Sequence, residues 1–369
     1  MTLRLLLNEI ESNLRQICSK LNYPVTNFAV EEAKPGFGDI TSNVTFLVAK
    51  SVKEKPYGIA KAISKEYQEH LSKFITKVEA HPSGYLNFLV NHEEMSKITL
   101  LESRKKDYGS INVGGGSKVV VEHTSVNPNK ALHIGHVRNV VIGDTIVRIL
   151  QKANYDVKVL NYVDDSGLQV ADIVVGFKYG GFSEIPSNNQ KFDHYCGDVV
   201  YVQTIKKYES DPKLEEIRTQ VLKELDEGTS DTAQLAKKIT RRVLTEQLKT
   251  CWRLGATFDC LNFEFQIIRS NLWKTIFEKM KQMNLIELKK TGKNAGCWVI
   301  KSEDDEDKVL VRSNGTATYV AKDIPYAAWK LGILDDPFYY TKYGVQSNNK
   351  VLWETVLEKN SEERQHFAG

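Results

Sequence analysis

The sequence predicts an α/β fold, in which a parallel sheet follows a small α+β domain and is interrupted by a helical insertion. Two apolar runs, Val119–Val121 and Val157–Tyr162, are too short for helices and are typical of buried parallel strands. Between them, apolar residues recur at helical spacing from Ile134 to Leu150, which completes a strand–helix–strand unit. Such a unit at the start of a sheet indicates a Rossmann-like arrangement.

Length and composition restrict the class of protein. A chain of 369 residues is long enough for two or three domains. Its net charge of +3 is too small to indicate nucleic-acid binding by itself, and no stretch has the pattern of a signal peptide or a membrane span. The five cysteines form no Cys-x-x-Cys pair, which favours free thiols over disulfides or structural zinc. We therefore expect a soluble, cytoplasmic monomer that makes no membrane contact.

Changes in composition divide the chain into four predicted segments. Residues 1–113 are expected to form an N-terminal domain, with an apolar helical stripe from Leu3 to Leu21, a helix over Pro56–Glu69 and a strand over Tyr85–Val90. After a run of glycines, residues 117–178 are expected to form the first half of the sheet domain. Residues 179–252 are the helical insertion, and residues 253–369 are the second half, which we expect to be incomplete.

The insertion is predicted from its charged, helical sequence. Helices are expected from Cys196 to Tyr208 and over Pro212–Leu248. We expect their cations, such as Lys237-Lys238 and Arg241-Arg242, to lie on a solvated face.

The segment between the first strand and its helix carries the strongest candidate for a ligand site. His133-Ile134-Gly135-His136 stands at the predicted helix start, where unpaired backbone N–H groups and the helix dipole favour an anion. The two imidazoles lie on one face, Gly135 permits a close approach to the backbone, and Lys130 adds a positive charge. No P-loop or dinucleotide glycine pattern is present here. A metal site and a purely structural role for the histidines remain as alternatives.

Further polar residues follow the later strands. Asp165 and Gln169 come after the second strand, so they are expected at the same sheet edge, with an ordinary polar turn as the alternative. Glu264 ends another short apolar run. Tyr319 and Asp323 are four residues apart and can face one pocket.

Local signals also predict structure in the second half. Ser313-Asn314-Gly315 indicates a tight hairpin between strands at Lys308–Arg312 and Thr316–Val320. A helix is predicted over Lys322–Leu331, where Gly332 ends it, and the stretch Lys350–Lys359 is helix-like.

The spacing of residues around the histidines resembles a known family. The tetrapeptide at the helix start resembles the first signature of class I aminoacyl-tRNA synthetases. The longer run Glu122-x-x-Ser125-x-Asn127-x-x-Lys130-x-x-His133-x-Gly135-His136 resembles the arginyl enzymes in particular. Two phrases in the first domain are similar to the N-terminal domain of those enzymes, which contacts the outer corner of tRNA. These phrases are Phe37-Gly38-Asp39 with Ser42-Asn43, and Gly84-Tyr85-Leu86-Asn87-Phe88.

The resemblance implies a role for each matching residue. His133, His136 and Lys130 would be catalytic and, with Gly135, would bind ATP, whose phosphates Mg²⁺ neutralises. No protein ligands for a metal are implied. Two carboxylates and a phenol would accept hydrogen bonds from the planar guanidinium of arginine, and a lysine would leave some of these acceptors unpaired. The implied arginine-binding residues are Glu122, Ser125, Asn127, Asp165, Gln169, Glu264, Tyr319, Asp323 and Gln346.

The implied activity is ATP-dependent formation of arginyl-adenylate from L-arginine, followed by transfer of the arginyl group to the 3′ end of tRNA(Arg). The second, lysine-rich signature of class I enzymes and the helical anticodon-binding domain are not found in this sequence. We therefore expect a fragment that is truncated before the second signature. A non-catalytic arginine- or tRNA-binding relative, and a class I synthetase of other specificity, remain as alternatives. So do a contact between the cations of the insertion and the acceptor arm of tRNA, and a purely structural role for the N-terminal domain.

Overall fold

The computed structural model describes residues 2–187, 189–300, 307–315, 318–359 and 366–367, without the side chains of Tyr319 and Lys322. The chain forms two compact units, Met1–Asn112 and Val113–Gly369. Among the described residues, no helix is both long enough and apolar enough to cross a membrane.

The first unit is an antiparallel sheet packed against helices. Its strands lie in the order β1–β2–β4–β3, and every pairing is antiparallel. The elements are α1 (Thr2–Lys20), β1 (Val30–Glu32), β2 (Ile40–Ser42), α2 (Val44–Val52), α3 (Pro56–Gln68), β3 (Ile75–Ala80), β4 (Leu86–Val90) and α4 (His92–Ser103). Leu6, Ile10 and Leu14 of α1 are buried at the spacing of one helix face. The two helices and the strand predicted here are confirmed, with shifts of one or two residues at their ends.

The second unit contains a five-stranded sheet in the order β11–β12–β7–β6–β5. Its strands are β5 (Lys118–Glu122), β6 (Asp156–Val163), β7 (Cys260–Phe263), β11 (Tyr339–Val345) and β12 (Val351–Val356). β11 runs antiparallel to β12, and the other pairs are parallel. Helix α5 (Ile134–Lys152) connects β5 to β6, which confirms the predicted strand–helix–strand unit. The carboxyl ends of β5, β6 and β7 therefore meet at one edge of the sheet.

Helices cover both faces of this sheet. On one face, Val140 of α5 and Leu244 of α10 (Asp231–Arg253) join the core with Val159 of β6. The other face carries α11 (Glu264–Arg269), α12 (Leu272–Gln282) and α13 (Tyr319–Lys330), with Trp329 fully buried in the same cluster as Cys260. A mostly parallel sheet between two helical layers is the predicted Rossmann-like α/β fold.

The chain between β6 and β7 forms the helical insertion. Its elements are α6 (Leu168–Tyr179), α7 (Phe192–His194), a π-helix (Tyr195–Tyr201), α8 (Val202–Ser210), α9 (Pro212–Glu227) and α10. The single helix predicted over Pro212–Leu248 is two helices, because Gly228 adopts a left-handed conformation (φ 69°) and ends α9.

Arg241 and Arg242 are half-buried and bonded within the chain rather than free on a solvated face, so that prediction is wrong for them. Arg241 forms an ion pair with Glu354 of β12. Arg242 donates to the carbonyl of Glu184 at 3.0 Å, and its guanidinium lies 3.6 Å from the ring centroid of Phe192. Both side chains therefore hold parts of the second unit together.

The remaining strands form a small antiparallel sheet of β8 (Ile286–Leu288), β9 (Trp298–Ile300) and β10 (Lys308–Val311). Two predictions for this half are wrong. The predicted second hairpin strand is one of them: Thr316 and Ala317 lie outside the described residues, and Tyr319 begins α13. The first strand of that hairpin is confirmed as β10, and the N–H of Gly315 closes the turn onto the carbonyl of Arg312 at 2.9 Å. The stretch predicted as helix-like contains β12, whose β-branched and aromatic residues suit its position between β7 and β11.

Candidate active site

The loop between β5 and α5 starts in a strained conformation. Thr124 and Ser125 have φ values of 76° and 47°, a region that a β-branched threonine rarely adopts. The backbone N–H of Ser125 donates to Oδ1 of Asn161 at 3.1 Å, and that of His123 donates to the carbonyl of Leu160 at 3.1 Å. Strand β6 therefore holds the start of the loop, and strain of this kind is commonly found at functional sites.

His133 and His136 stack at the start of α5. Their ring centroids are 3.6 Å apart, and their planes are inclined by 20°. Nδ1 of His133 accepts hydrogen bonds from the N–H groups of Gly135 and His136 at 3.1 and 3.4 Å, and Nδ1 of His136 accepts from the N–H of His133 at 3.4 Å. The two rings thus cap the helix N-terminus reciprocally, with imidazole nitrogens in place of the usual side-chain oxygens.

These contacts determine which ring nitrogen carries the proton. Because each Nδ1 accepts a hydrogen bond, the proton of the neutral ring lies on Nε2, which is left as a donor. Burial lowers the pKa of His136, and the nearby His133 and Lys130 lower that pKa further. The His136 ring is therefore neutral near pH 7. An anion at this helix start would meet Nε2–H donors and the Lys130 ammonium.

Two amides join this loop to the residues that follow β6. Nδ2 of Asn127 donates to Oδ2 of Asp164 at 2.8 Å, and Nδ2 of Asn129 donates to Oε1 of Gln169 at 2.7 Å. Asn129 is 1% exposed, and its Oδ1 has no hydrogen-bond partner in the described part of the chain. A buried acceptor without a donor costs about 1–3 kcal/mol, so this oxygen is a candidate ligand contact.

Glu264 follows β7 at the same edge and is buried. It is 8% exposed, and its carboxylate accepts from the phenol of Tyr162 at 3.0 Å and from the hydroxyl of Ser166. Burial raises the pKa of Tyr162, and the negative charges of Glu264 and Asp323 raise that pKa further. Asp323 is therefore close enough to act on the phenol that orients Glu264.

Helix α13 carries two of the predicted arginine-binding residues. Asp323 is exposed, one turn after Tyr319, whose side chain lies outside the described residues. Tyr326 of the same helix is buried; it donates to Oδ1 of Asn262 at 3.0 Å, and its ring lies 5.1 Å from that of Tyr162. These contacts hold α13 beside the ends of β6 and β7.

Glu122 and Ser125 have partners within the chain. The hydroxyl of Ser125 donates to Oε1 of Glu122 at 2.9 Å, and the other oxygen of Glu122 forms an ion pair with Lys330 of α13. The Lys330 ammonium also lies 4.4 Å from the ring centroid of Tyr326. In this conformation a ligand would have to displace Lys330 to bind the Glu122 carboxylate.

Asp165 faces the insertion. Its Oδ1 accepts from the N–H of Phe265 at 3.0 Å, in the first turn of α11. Burial raises the pKa of this carboxyl to about 7, and the bond from Phe265 opposes the rise. Beside it lies a cavity of about 190 Å³, whose lining includes Lys237, Arg241 and Glu354.

Gln346 does not belong to this group, and its predicted place in the arginine site is corrected. It follows β11, whose antiparallel pairing with β12 brings it to the amino-terminal edge of the parallel strands. Its Oε1 accepts from the N–H of Phe258 at 3.0 Å and from the indole of Trp252 at 3.3 Å, and its Nε2 donates to the carbonyl of Phe258 at 2.7 Å. The amide of Gln346 anchors the residues before β7.

Sequence reasoning missed several polar side chains at the carboxyl edge. Their partners are distant in the chain, so the sequence alone does not pair them. They are Asn129, Tyr162, Asp164, Ser166 and Lys330. Asp164 and Ser166 could have been predicted from their place in the sequence, because they directly flank Asp165 at the end of a buried strand.

The edge holds two kinds of binding group side by side. The loop before α5 offers N–H donors and an ammonium, which suit a phosphate. The ends of β6 and β7 offer carboxylates, which suit a cation. The bonds Asn127–Asp164 and Ser166–Glu264 connect these two regions through one short loop. An anion and a cation bound at this edge would therefore lie close to each other.

Comparison with known families gives two matches. Residues 97–346 match the model of the "tRNA synthetases class I (R), catalytic domain", and residues 7–90 match the "Arginyl tRNA synthetase N terminal domain". The chain is 36% identical over 344 residues to an "Arginine--tRNA ligase" of Thermococcus sibiricus, covering 87% of this chain and 52% of the relative. It is 34% identical over 336 residues to that of Thermus thermophilus, covering 88% and 53%. The chain thus spans about half the length of the curated relatives it matches.

Solved structures give a consistent result. The arginyl-tRNA synthetase of Thermus thermophilus superposes with a TM-score of 0.71 at 31% identity, covering 96% of this chain and 57% of that one. The arginyl-tRNA synthetase of Plasmodium falciparum superposes with a TM-score of 0.60 at 17% identity, covering 88% of this chain and 57% of that chain, which is a likeness of fold alone.

Proposed function

This chain belongs to the arginyl-tRNA synthetase family, and from that premise we propose that it takes part in the ATP-dependent ligation of arginine to tRNA(Arg). The carboxylate of arginine would attack the α-phosphate of ATP, so that arginyl-adenylate forms and pyrophosphate leaves. A ribose hydroxyl at the 3′ end of the tRNA would then attack the arginyl carbonyl, so that arginyl-tRNA forms and AMP leaves. The main support for the proposal is one observation. Hydrogen-bond donors that suit a phosphate and a buried carboxylate that suits a cation lie at one sheet edge, linked by the bonds Asn127–Asp164 and Ser166–Glu264.

The carboxylates at this edge support arginine as the amino acid. A guanidinium is planar, permanently charged and carries five donors. Glu264 is buried and already oriented by Tyr162 and Ser166, so it can accept from a guanidinium with little further ordering. Asp323 and Tyr319 are proposed as the other acceptors. The proposed lining of the rest of the arginine site is Glu122, Ser125, Asn127, Asp165 and Gln169.

The loop before α5 is the proposed ATP site. His133, Gly135, His136 and Lys130 would contact the nucleotide, and Mg²⁺ would enter with ATP as part of the substrate. Adenylate formation needs positioning and stabilisation of charge at the α-phosphate more than covalent help from side chains. The neutral His136 ring suits this role, because its Nε2–H can donate without a change of protonation.

Exposed aromatic residues of the first unit support tRNA as the third substrate. Phe37 and Tyr85 are 45% and 41% exposed. They line a cavity of about 530 Å³ together with Lys34, Asn87 and the carboxylates Glu31 and Glu32. Aromatic faces beside a cation and an amide suit an unstacked RNA base. We propose that this surface contacts the outer corner of tRNA(Arg).

The five cysteines, which are free thiols, support a reducing compartment. A cytoplasmic location is therefore part of the proposal.

Calorimetric titration of this chain with arginine, with and without Mg²⁺ and a non-hydrolysable ATP analogue, tests the function. We expect arginine to bind, the analogue to bind, and lysine to bind at least about tenfold more weakly, since it leaves directed acceptors unpaired. Absence of arginine binding in both titrations would overturn the proposal. Equal affinity for lysine would overturn the assigned specificity.

A further inference from the structure

A buried glutamine of the insertion is bonded to the loop that precedes the histidine pair. Gln247 lies in α10 and is 3% exposed. Its Nε2 donates to the backbone carbonyl of Asn127 at 3.0 Å and to that of Lys130 at 2.8 Å. One side chain therefore satisfies two carbonyls on either side of Asn129.

A glycine of the same insertion packs against the same loop. Gly197 lies in the π-helix, and a Cβ added there would be 2.5 Å from Cβ of Lys130 and 3.3 Å from its Cα. Real Cβ atoms do not approach so closely, so any larger residue at this position would push Lys130 away. The insertion thus touches Lys130 from two elements that are separate in the chain.

The loop has little internal support of its own. Within residues 127–130, the N–H of Asn129 donates to the carbonyl of Asn127 at 2.9 Å. The Asn127 side chain bonds Asp164 and the Asn129 side chain bonds Gln169, both after β6. The two bonds from Gln247 are therefore a large share of the contacts that determine where the Lys130 backbone lies.

The position of Lys130 matters electrostatically for the proposed phosphate site. Its charge is close enough to His136 to contribute to the lowered pKa of that ring. The ammonium and the Nε2–H donors can act on one anion only while the loop keeps its place beside α5, because hydrogen bonds weaken steeply with distance and angle.

We propose that Gln247 and Gly197 are positioning residues for nucleotide binding, which act through the backbone of Lys130 and touch no substrate. This inference rests on the proposed function of the loop as the ATP site. The helical insertion would thus hold the loop before α5 in the position that nucleotide binding requires.

Hydrogen–deuterium exchange and nucleotide titration of Gln247→Met test the proposal, because methionine keeps the size of glutamine and removes both donors. We expect amide exchange over residues 123–133 to become at least about tenfold faster. We expect the dissociation constant of Mg²⁺ with the ATP analogue to rise about tenfold, as for the loss of two ordinary hydrogen bonds. Gly197→Ala should shift both readouts in the same direction.

Gln220→Met is the matched control. Gln220 lies in α9, and its amide bonds the carboxylate of Glu224 at 3.2 Å, so neither readout should change. Loop exchange and nucleotide affinity within about twofold of the unsubstituted chain in both folded variants would overturn the proposal. If the unsubstituted chain binds no nucleotide, the proposed ATP site fails, and the exchange rates still decide whether Gln247 holds the loop.

Discussion

Arg241 and Glu354 form an ion pair although they are 113 residues apart in the chain. Arg241 lies in the insertion helix α10, and Glu354 is a 5% exposed residue of β12. The guanidinium also lies 5.5 Å from the ring centroids of Phe263 and Tyr343. This contact joins the insertion to the last parallel strand, directly beside the cavity at Asp165.

Removal of Arg241 should destabilise the second unit. Arg241→Met leaves the buried Glu354 carboxylate without its charge partner, which costs about 3 kcal/mol of unfolding free energy. The double variant Arg241→Met with Glu354→Leu should recover most of that loss, since no buried charge remains. All five tryptophans lie after residue 250, so tryptophan fluorescence during urea unfolding reports this unit.

Lys249→Met is the control for this prediction. Lys249 lies on the same helix and pairs with Glu246 at the surface, where an ion pair contributes about 0–1 kcal/mol. A loss for Lys249→Met as large as that for Arg241→Met would contradict a special role for the buried pair.

His136→Ala should impair adenylate formation far more than arginine binding. The variant removes an Nε2–H donor at the helix start and one half of the stacked cap. We expect ATP–pyrophosphate exchange to fall by about 10²–10³, the usual loss for one preorganised donor at a developing charge, and arginine affinity to change little. His136→Asn keeps a side-chain N–H donor and should lose less. Equal losses in ATP–pyrophosphate exchange and in arginine affinity would show that His136 does not act specifically on the transition state of adenylate formation.

Glu264→Gln should weaken arginine binding. The amide replaces a buried carboxylate oxygen by an N–H₂ group that faces the donors of Tyr162, Ser166 and the ligand. We expect arginine to bind about tenfold to a hundredfold more weakly in calorimetry. Tyr162→Phe keeps the carboxylate and should have a smaller effect.

Glu246→Gln is the matched control, because Glu246 lies on α10 and pairs with surface lysines. Unchanged arginine affinity in Glu264→Gln would exclude this carboxylate from the arginine site.

Asp165 should make stability depend on pH. Burial raises the pKa of its carboxyl to about 7 in the folded chain, against about 3.9 when unfolded. Because the pKa is higher in the folded chain, the stability that the Asp165 carboxyl contributes to the free energy of unfolding is fully present below about pH 3.9. That stability is lost as the pH rises to about 7. Asp165→Asn cannot titrate and keeps an oxygen for the N–H of Phe265. Its stability relative to the unsubstituted chain should therefore increase by on the order of 3 kcal/mol between pH 4.5 and pH 7.5.

Tryptophan-detected urea unfolding at these two pH values measures the effect. The quantity of interest is the difference between the two proteins, because other groups titrate equally in both. A difference that stays constant, or that shifts in favour of the unsubstituted chain at the higher pH, would contradict the assignment.

Local sequence was sufficient for the first strand–helix–strand unit and for the histidine pair. Val119–Val121 and the helical stripe after Ile134 depend on neighbours within a few residues, so the predicted elements agree with β5 and α5. His133 and His136 stand three residues apart at a helix start, and that spacing alone brings their rings together. The family resemblance depended on the same short run, and the matched models support it.

The sequence by itself determined the α/β class, the strand–loop–helix that carries the histidines, and the family, because each depends on spacing along a short stretch. The tertiary structure decided which distant side chains share an edge. It brought Glu264 to Tyr162 and Gln247 to the Lys130 carbonyl, moved Gln346 to the opposite edge, and made Val351–Val356 a strand rather than part of a helix. The physical reason is that the contacts of Glu264, Gln247 and Gln346 arise from sheet order and from packing between segments some hundred residues apart, which spacing along a short stretch does not encode.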